Sequence, residues 1–288
     1  ATAHQDGKLL VTGSGASFIS VLAGFGDDIT FLCGEPYGAS ISTDLDFHEK
    51  CAEETEARGF ARDMCAYMRS YWGSMFLDRY YFGGPFPRPD FCFSIHFCDS
   101  HAKWYQIVKE HFGVPYFGVD LPIGPHRSFP EKVNYVVGQL QDAIEGMEKF
   151  LGRKFNDEKF LNAVRNEFRV TSFWPKICEL NKNIPAPLDQ KTLFSLYVLA
   201  MLERYNPETV KFYADLYAEV KDRAANGIAA LATERCRIID DSQPLWHFLK
   251  IYRIMESYGA LSVGSPYCFG LMGVWDETPD GQLIACKT

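Results

Sequence analysis

The chain has 288 residues, 47% of them hydrophobic and 15% aromatic, and a formal net charge of −8. That length suits two α/β units with ample core material, while the acidic balance and the absence of a basic stripe argue against a nucleic-acid surface. No apolar run is long enough to cross a bilayer, and the opening ATAHQDGKLL lacks a basic segment followed by an apolar one, so no secretory leader is read there.

The first ~125 residues alternate between strand-like and helix-like patterns. KLLVTG (8–13) reads as a strand ending in Gly-Ser-Gly, and ASFISVLAGFG as a helix stopped by glycine. ITFLCG (29–34), DFCFSIHF (90–97) and PYFGVD (115–120) are further apolar runs bounded by Gly or Pro. Helical patterns cover 47–57, 61–72 and 100–112, and this order predicts a parallel sheet with helices on both faces.

From about 130 to 231 the pattern is helical, with apolar residues at Val133, Val136, Val137, Leu140, Ile144, Met147 and Leu151. DEKFLNAVRNEFRVTSFW and PETVKFYADLYAEVKDRAANGIAAL continue it, and NIPAPLDQ (183–190) interrupts it as a turn. The α/β rhythm resumes with RCRIIDD as a strand, QPLWHFLKIYRIMESYG as a helix and ALSVGS as a strand. The expected division is therefore 1–129 as a first α/β domain, 130–231 as a helical layer, and 232–288 as the start of a second α/β domain.

Nine cysteines occur, at 33, 51, 65, 92, 98, 178, 236, 268 and 286, with no CxxC pair. A zinc ribbon or thioredoxin-type site does not fit this spacing. Reduced thiols in a cytosol are expected, most of them acting as small buried hydrophobes. Cys65 and Cys98 stand apart because both fall at helix starts. Asp63 is placed to cap the helix over 61–72, and Asp99 or Ser100 to cap the helix after Cys98. A helix N-terminus favours the thiolate, the form that binds metal. Coincidence is the alternative, since Cys-x32-Cys is no metal signature.

Three other places invite a reading. Gly13-Ser14-Gly15 after a strand could bind phosphate, or could simply form a tight turn. Glu35 follows a strand and precedes Pro36, which turns the chain; it is either an acid/base candidate or a solvated loop carboxylate. His96 and His101 flank Cys98, and His101 either donates to the site or lies on a helix surface. The loop FGGPFPRP and the aromatics over 67–86 fit an apolar wall for a ligand or ordinary packing.

GEPYGAS, CAEETEARGFARDMCAYMRSYWGS, PDFCFSIHFCDSHAKWYQIV and GVPYFGVDLP, with SQPLW and YGALSVGSPYCFGLMGVWDE further on, carry a resemblance over nearly the whole chain. They resemble the family of 2-hydroxyacyl-CoA dehydratase and benzoyl-CoA reductase catalytic subunits, most of all the larger cluster-bearing subunit of ATP-dependent benzoyl-CoA reductase. The resemblance implies two flavodoxin-like parallel-sheet domains with helical additions around a [4Fe-4S] cluster. In it, Cys65 and Cys98 match two of the three cluster cysteines, and Glu35 falls near the acyl-CoA site. It also implies a second cluster-bearing catalytic subunit, separate ATP-hydrolysing activator subunits, ferredoxin as upstream electron donor, and an aryl-CoA or acyl-CoA substrate. The activity it implies first is reduction of the aromatic ring of an aryl-CoA thioester. Radical dehydration of a 2-hydroxyacyl-CoA is the alternative, and a non-catalytic electron-relay or structural subunit a further one.

The family's third cysteine has no convincing counterpart in Cys236, Cys268 or Cys286, and Cys236, opening a strand, is expected in the core. The second α/β unit halts after about two strands, so the polypeptide is expected to run past Thr288 by on the order of 100 residues.

Overall fold

β1 (Leu9–Gly13), α1 (Ser20–Ala23), β2 (Ile29–Cys33), α2 (Gly34–Ile41), α3 (Leu45–Ala57), α4 (Ala66–Phe76), β3 (Phe91–His96), α5 (Asp99–Phe112), β4 (Tyr116–Asp120) and α6 (Phe129–Leu151) follow one another in the first part of the computed structural model. The structure describes residues 2–15, 17–122, 124, 128–241, 243–270, 275–280 and 283–285. By contacts the chain divides into two units, Ala1–Phe160 and Leu161–Thr288.

In the first unit the strands form one parallel sheet in the order β2-β1-β3-β4. β3 is buried along almost its whole length, as the continuous apolar run requires of a central parallel strand. Its alternate side chains serve two cores. Phe91, Phe93 and Ile95 pack with Val21 and Phe25 beside α1 and with Met147 of α6. Cys92 faces the other way, to Tyr37, Tyr71, Trp72, Trp104 and Tyr105 on α2, α4 and α5. Helices therefore cover both faces, which is the α/β class expected from the strand–helix alternation.

α2 corrects one local expectation. Pro36 does not turn the chain away; it is the third residue of a helix whose N-cap is Cys33. A proline in the first helical turn loses no intrahelical bond, because the N–H it lacks would have had no partner there. Two glycines one turn apart then set how closely α2 packs. A Cβ on Gly34 would lie 2.3 Å from the Tyr105 hydroxyl, and one on Gly38 would lie 2.6 Å from the Tyr67 carbonyl oxygen. α2 thus packs closely on the middle of α5 at Gly34 and on the start of α4 at Gly38.

The second unit contains most of α7 (Asp157–Glu179), then α8 (Gln190–Leu202), α9 (Pro207–Ala225), β5 (Cys236–Ile239), α10 (Ile251–Ser257), β6 (Ala260–Gly264), α11 (Pro266–Gly270), β7 (Trp275–Glu277) and β8 (Leu283–Ala285). β5 and β6 pair in parallel, and β7 and β8 antiparallel. Its core gathers Val170, Trp174 and Ile177 of α7 with Phe194 and Tyr197 of α8 and Tyr213 of α9. α7 runs through Pro175 instead of ending at Trp174, since Trp174 and Ile177 are both fully buried and hold the helix across the missing N–H. Cys236 is exposed, against the expectation of a core position, because β5 belongs to a two-stranded sheet that leaves one edge open. Cys268 is buried, and Cys286 lies outside the described residues.

Candidate functional site

The order β2-β1-β3-β4 has a switch point between β1 and β3, where successive crossovers leave to opposite faces. The crevice at the carboxyl ends of those strands is where open α/β sheets bind ligands. Ser14 and Gly15 follow β1 there, Glu35 opens α2 after β2, and Cys98 follows β3. Gly13 is required by the sheet: a Cβ on it would lie 1.9 Å from the carbonyl oxygen of Phe93 on the neighbouring strand. The Gly-Ser-Gly turn therefore has a packing cause.

Cys65 and Cys98 are themselves the N-caps, of α4 and α5 respectively. Asp63, Asp99 and Ser100 do not cap; the two helices begin one residue after each cysteine, at Ala66 and Asp99. Neither thiol makes a side-chain capping bond. Cys98 is exposed and Cys65 half-buried, whereas Cys33, Cys51, Cys92 and Cys268 are buried.

The environments separate these thiols. Burial pushes Cys51 and Cys92 up to about 12, which keeps them neutral. Cys98 goes the other way. The His101 imidazole, against partial burial and with help from the N–H groups of His101 and Ser100, holds it below the ordinary thiol value.

His101 is 5% exposed, so it is no helix-surface histidine. Its Nε2 lies 2.7 Å from Glu35 Oε1. Burial favours the neutral ring, but Cys98 and Glu35 together outweigh it and raise the imidazole pKa to about 10. Glu35 is correspondingly held below the usual carboxylate range: burial opposes this, but His101 and then Gly15 and Ser14 prevail. Ser14 Oγ donates to Glu35 Oε1 at 2.7 Å, Gly15 N–H to Oε2 at 3.0 Å, and the Cys33 thiol to Oε2 at 3.6 Å. Glu35 is a clamped carboxylate, not a solvated loop acid.

Three buried groups on α5 have no partner with good hydrogen-bond geometry: His101 Nδ1, Trp104 Nε1 and Tyr105 Oη. Buried donors of this kind call for water or a ligand. His96 is engaged separately, its Nδ1 2.6 Å from Asp120 Oδ1. The aromatics over 67–86 are largely core: Tyr71, Trp72 and Phe86 are buried, and only Phe82 stands well exposed.

Two thiols at helix N-caps, one with a depressed pKa and a cationic imidazole beside it, fit the donor chemistry of an iron–sulfur cluster. Among the described residues no group of three His, Cys, Asp or Glu side chains is arranged to hold a metal ion. Also among the described residues, no helix is long and apolar enough to cross a membrane.

Comparison with known proteins gives the chain its family. The (R)-2-hydroxyisocaproyl-CoA dehydratase alpha subunit of Clostridioides difficile is 24% identical over 91% of this chain and 65% of its own length. The (R)-phenyllactyl-CoA dehydratase alpha subunit of Clostridium sporogenes is 25% identical over 87% of the chain and 62% of its own length. One of the subunits of benzoyl-CoA reductase from Thauera aromatica is 23% identical over 78% of the chain and 55% of its own length. The chain thus spans less than two thirds of the length of these curated relatives. The sequence profile of the family described as 2-hydroxyglutaryl-CoA dehydratase, D-component, matches residues 37–285, and the chain belongs to that family.

Proposed function

We propose that this chain is a cluster-holding subunit of an enzyme acting on an acyl-CoA thioester, with Cys65 and Cys98 as two of the cluster ligands. The observation that carries the reading is the Cys98–His101–Glu35 chain at the sheet's switch point: an exposed thiol of lowered pKa beside a buried cationic imidazole. When bound, a [4Fe-4S] cluster supplies one-electron chemistry at the thioester. The protein's own groups do the rest. Ser14, Gly15 and Cys33 fix the Glu35 carboxylate. Glu35 fixes the His101 ring through Nε2 and keeps it charged. The charged ring offsets negative charge on the Cys98 sulfur and keeps a proton at Nδ1, available to a sulfur or a substrate oxygen.

The leading reaction is dehydration of a 2-hydroxyacyl-CoA, on the strength of the family's description and of the two dehydratase subunits above. Reduction of an aryl-CoA ring, placed first on the sequence alone, is the second reading, supported by the likeness to the benzoyl-CoA reductase of Thauera aromatica. A further cluster-bearing subunit, an ATP-hydrolysing activator and a ferredoxin donor complete the proposed system, in a reducing cytoplasm. Anaerobic assay of the native complex with a 2-hydroxyacyl-CoA and with benzoyl-CoA tests it. Formation of the enoyl-CoA supports the first reading, formation of a ring-reduced thioester the second, and turnover of neither rejects both.

A further inference from the structure

The carboxyl edge of the first sheet holds a second histidine, which has no part in the Cys98–His101–Glu35 chain. His96 ends β3 opposite Asp120, which ends β4. The Asp120 carboxylate can only accept, so His96 Nδ1, 2.6 Å from Oδ1, is the donor. Asp120 is itself held at three further points. The Tyr135 hydroxyl of α6 donates to its Oδ2 at 3.1 Å. The Gln139 side-chain amide pairs with its backbone N–H at 2.8 Å and with its carbonyl at 3.0 Å. Two strands and one helix thus fix the orientation of one imidazole. The sheet does not need these side chains to close it, since His96 and Asp120 are already partners in the β3–β4 ladder.

With Nδ1 committed to Asp120, the lone pair of the neutral ring lies on Nε2. That atom makes no hydrogen bond among the described residues: Asp99 Oδ1, at 3.9 Å, is beyond hydrogen-bond range. The same contact places Nε2 beside the first turn of α5, the turn that Cys98 caps. The His96 side chain is 34% exposed, so it is open to a ligand seated there. Near the reacting carbons of an acyl-CoA, the thioester carbonyl is an acceptor and offers nothing to a lone pair. A hydroxyl on C2 offers a donor.

We propose that His96 is a specificity-determining residue, its Nε2 accepting a hydrogen bond from the 2-hydroxyl of the bound thioester, with Asp120 positioning the ring. This rests on the dehydratase reading above, and it concerns recognition, not proton transfer.

Anaerobic calorimetric titration of the native complex tests it, with activator and ATP left out so that nothing turns over. The probes are matched thioesters: 2-hydroxy-4-methylpentanoyl-CoA against 4-methylpentanoyl-CoA, and 2-hydroxy-3-phenylpropanoyl-CoA against 3-phenylpropanoyl-CoA. The wild type should bind the hydroxylated member about tenfold more tightly, the scale of one hydrogen bond. His96→Phe should erase that preference and leave the affinity for the unhydroxylated member as it was. Asp120→Ala should reduce the preference, since the ring loses its orientation, and His96→Gln, which keeps an acceptor, should retain part of it. A preference that survives in His96→Phe overturns the proposal and leaves the dehydratase reading standing. Equal binding of both members by the wild type also overturns it, and enoyl-CoA formation in the full assay then still upholds dehydration. Binding of no probe at millimolar concentration overturns both.

Discussion

Cys98 and Cys92 lie on the same strand and its exit, yet their thiols are pushed in opposite directions. Desolvation dominates at Cys92 and takes it up to about 12, while His101 dominates at Cys98 and takes it down. In protein free of iron, alkylation of Cys98, followed by peptide mapping, should therefore reach half its maximal rate below the pH typical of a free cysteine. His101→Asn should move that midpoint back up to the ordinary thiol range; an unchanged midpoint would show that His101 is not the cause. Stability gives a second pH signature. His101 is raised to about 10, from an unfolded value near 6.5, so its contribution is complete below about 6.5 and is lost as the pH rises through about 10. Denaturant midpoints of iron-free protein should fall across that window, and Glu35→Gln should flatten the fall. Sequence alone places both cysteines at helix starts, because capping and strand-to-helix signals are local. It does not join His101 to Glu35, because that contact is made by the sheet order, which brings the ends of β2 and β3 to one edge.

α2 and α4 show the same limit one level up. Strands β1 to β4 and helices α3 and α5 are legible from apolar runs and stops, to within a residue or two. α2 is not, since a proline beside a strand end reads as a turn until its first-turn position is known. α8 is hidden differently: its sequence QKTLFSLYVLAML is apolar nearly all round, so no stripe marks it. The glycines test how tightly these helices fit. Gly73 of α4 has room for no Cβ, which would lie 2.0 Å from the Cys51 carbonyl oxygen. Gly73→Ala and Gly38→Ala should each destabilise by roughly 1–3 kcal/mol, the scale of overpacking. Gly138 lies inside α6 with nothing within 4 Å of an added Cβ, and Gly138→Ala should stabilise by about 0.5–1 kcal/mol. Urea unfolding of the three variants decides this: equal effects in all three would mean that helix propensity, not helix–helix distance, governs these positions.

At the scale of the whole molecule, the family membership and the α/β class are both legible from sequence, one through motifs and one through strand–helix alternation. What the sequence cannot supply is which thiols converge, since nine cysteines offer many pairs and no diagnostic spacing. The structure narrows the choice by environment: Cys51 and Cys92 are sealed in the core, and the two N-cap thiols are not. The account stands or falls on those two residues holding iron. The direct measurement is iron and acid-labile sulfide per chain after anaerobic reconstitution, for the wild type and for Cys65→Ser, Cys98→Ser, Cys51→Ser and Cys178→Ser. The account predicts about four of each in the wild type, little change in the last two variants, and loss of most iron and of the broad visible absorption in the first two. Full retention of iron and sulfide in both Cys65→Ser and Cys98→Ser would contradict it.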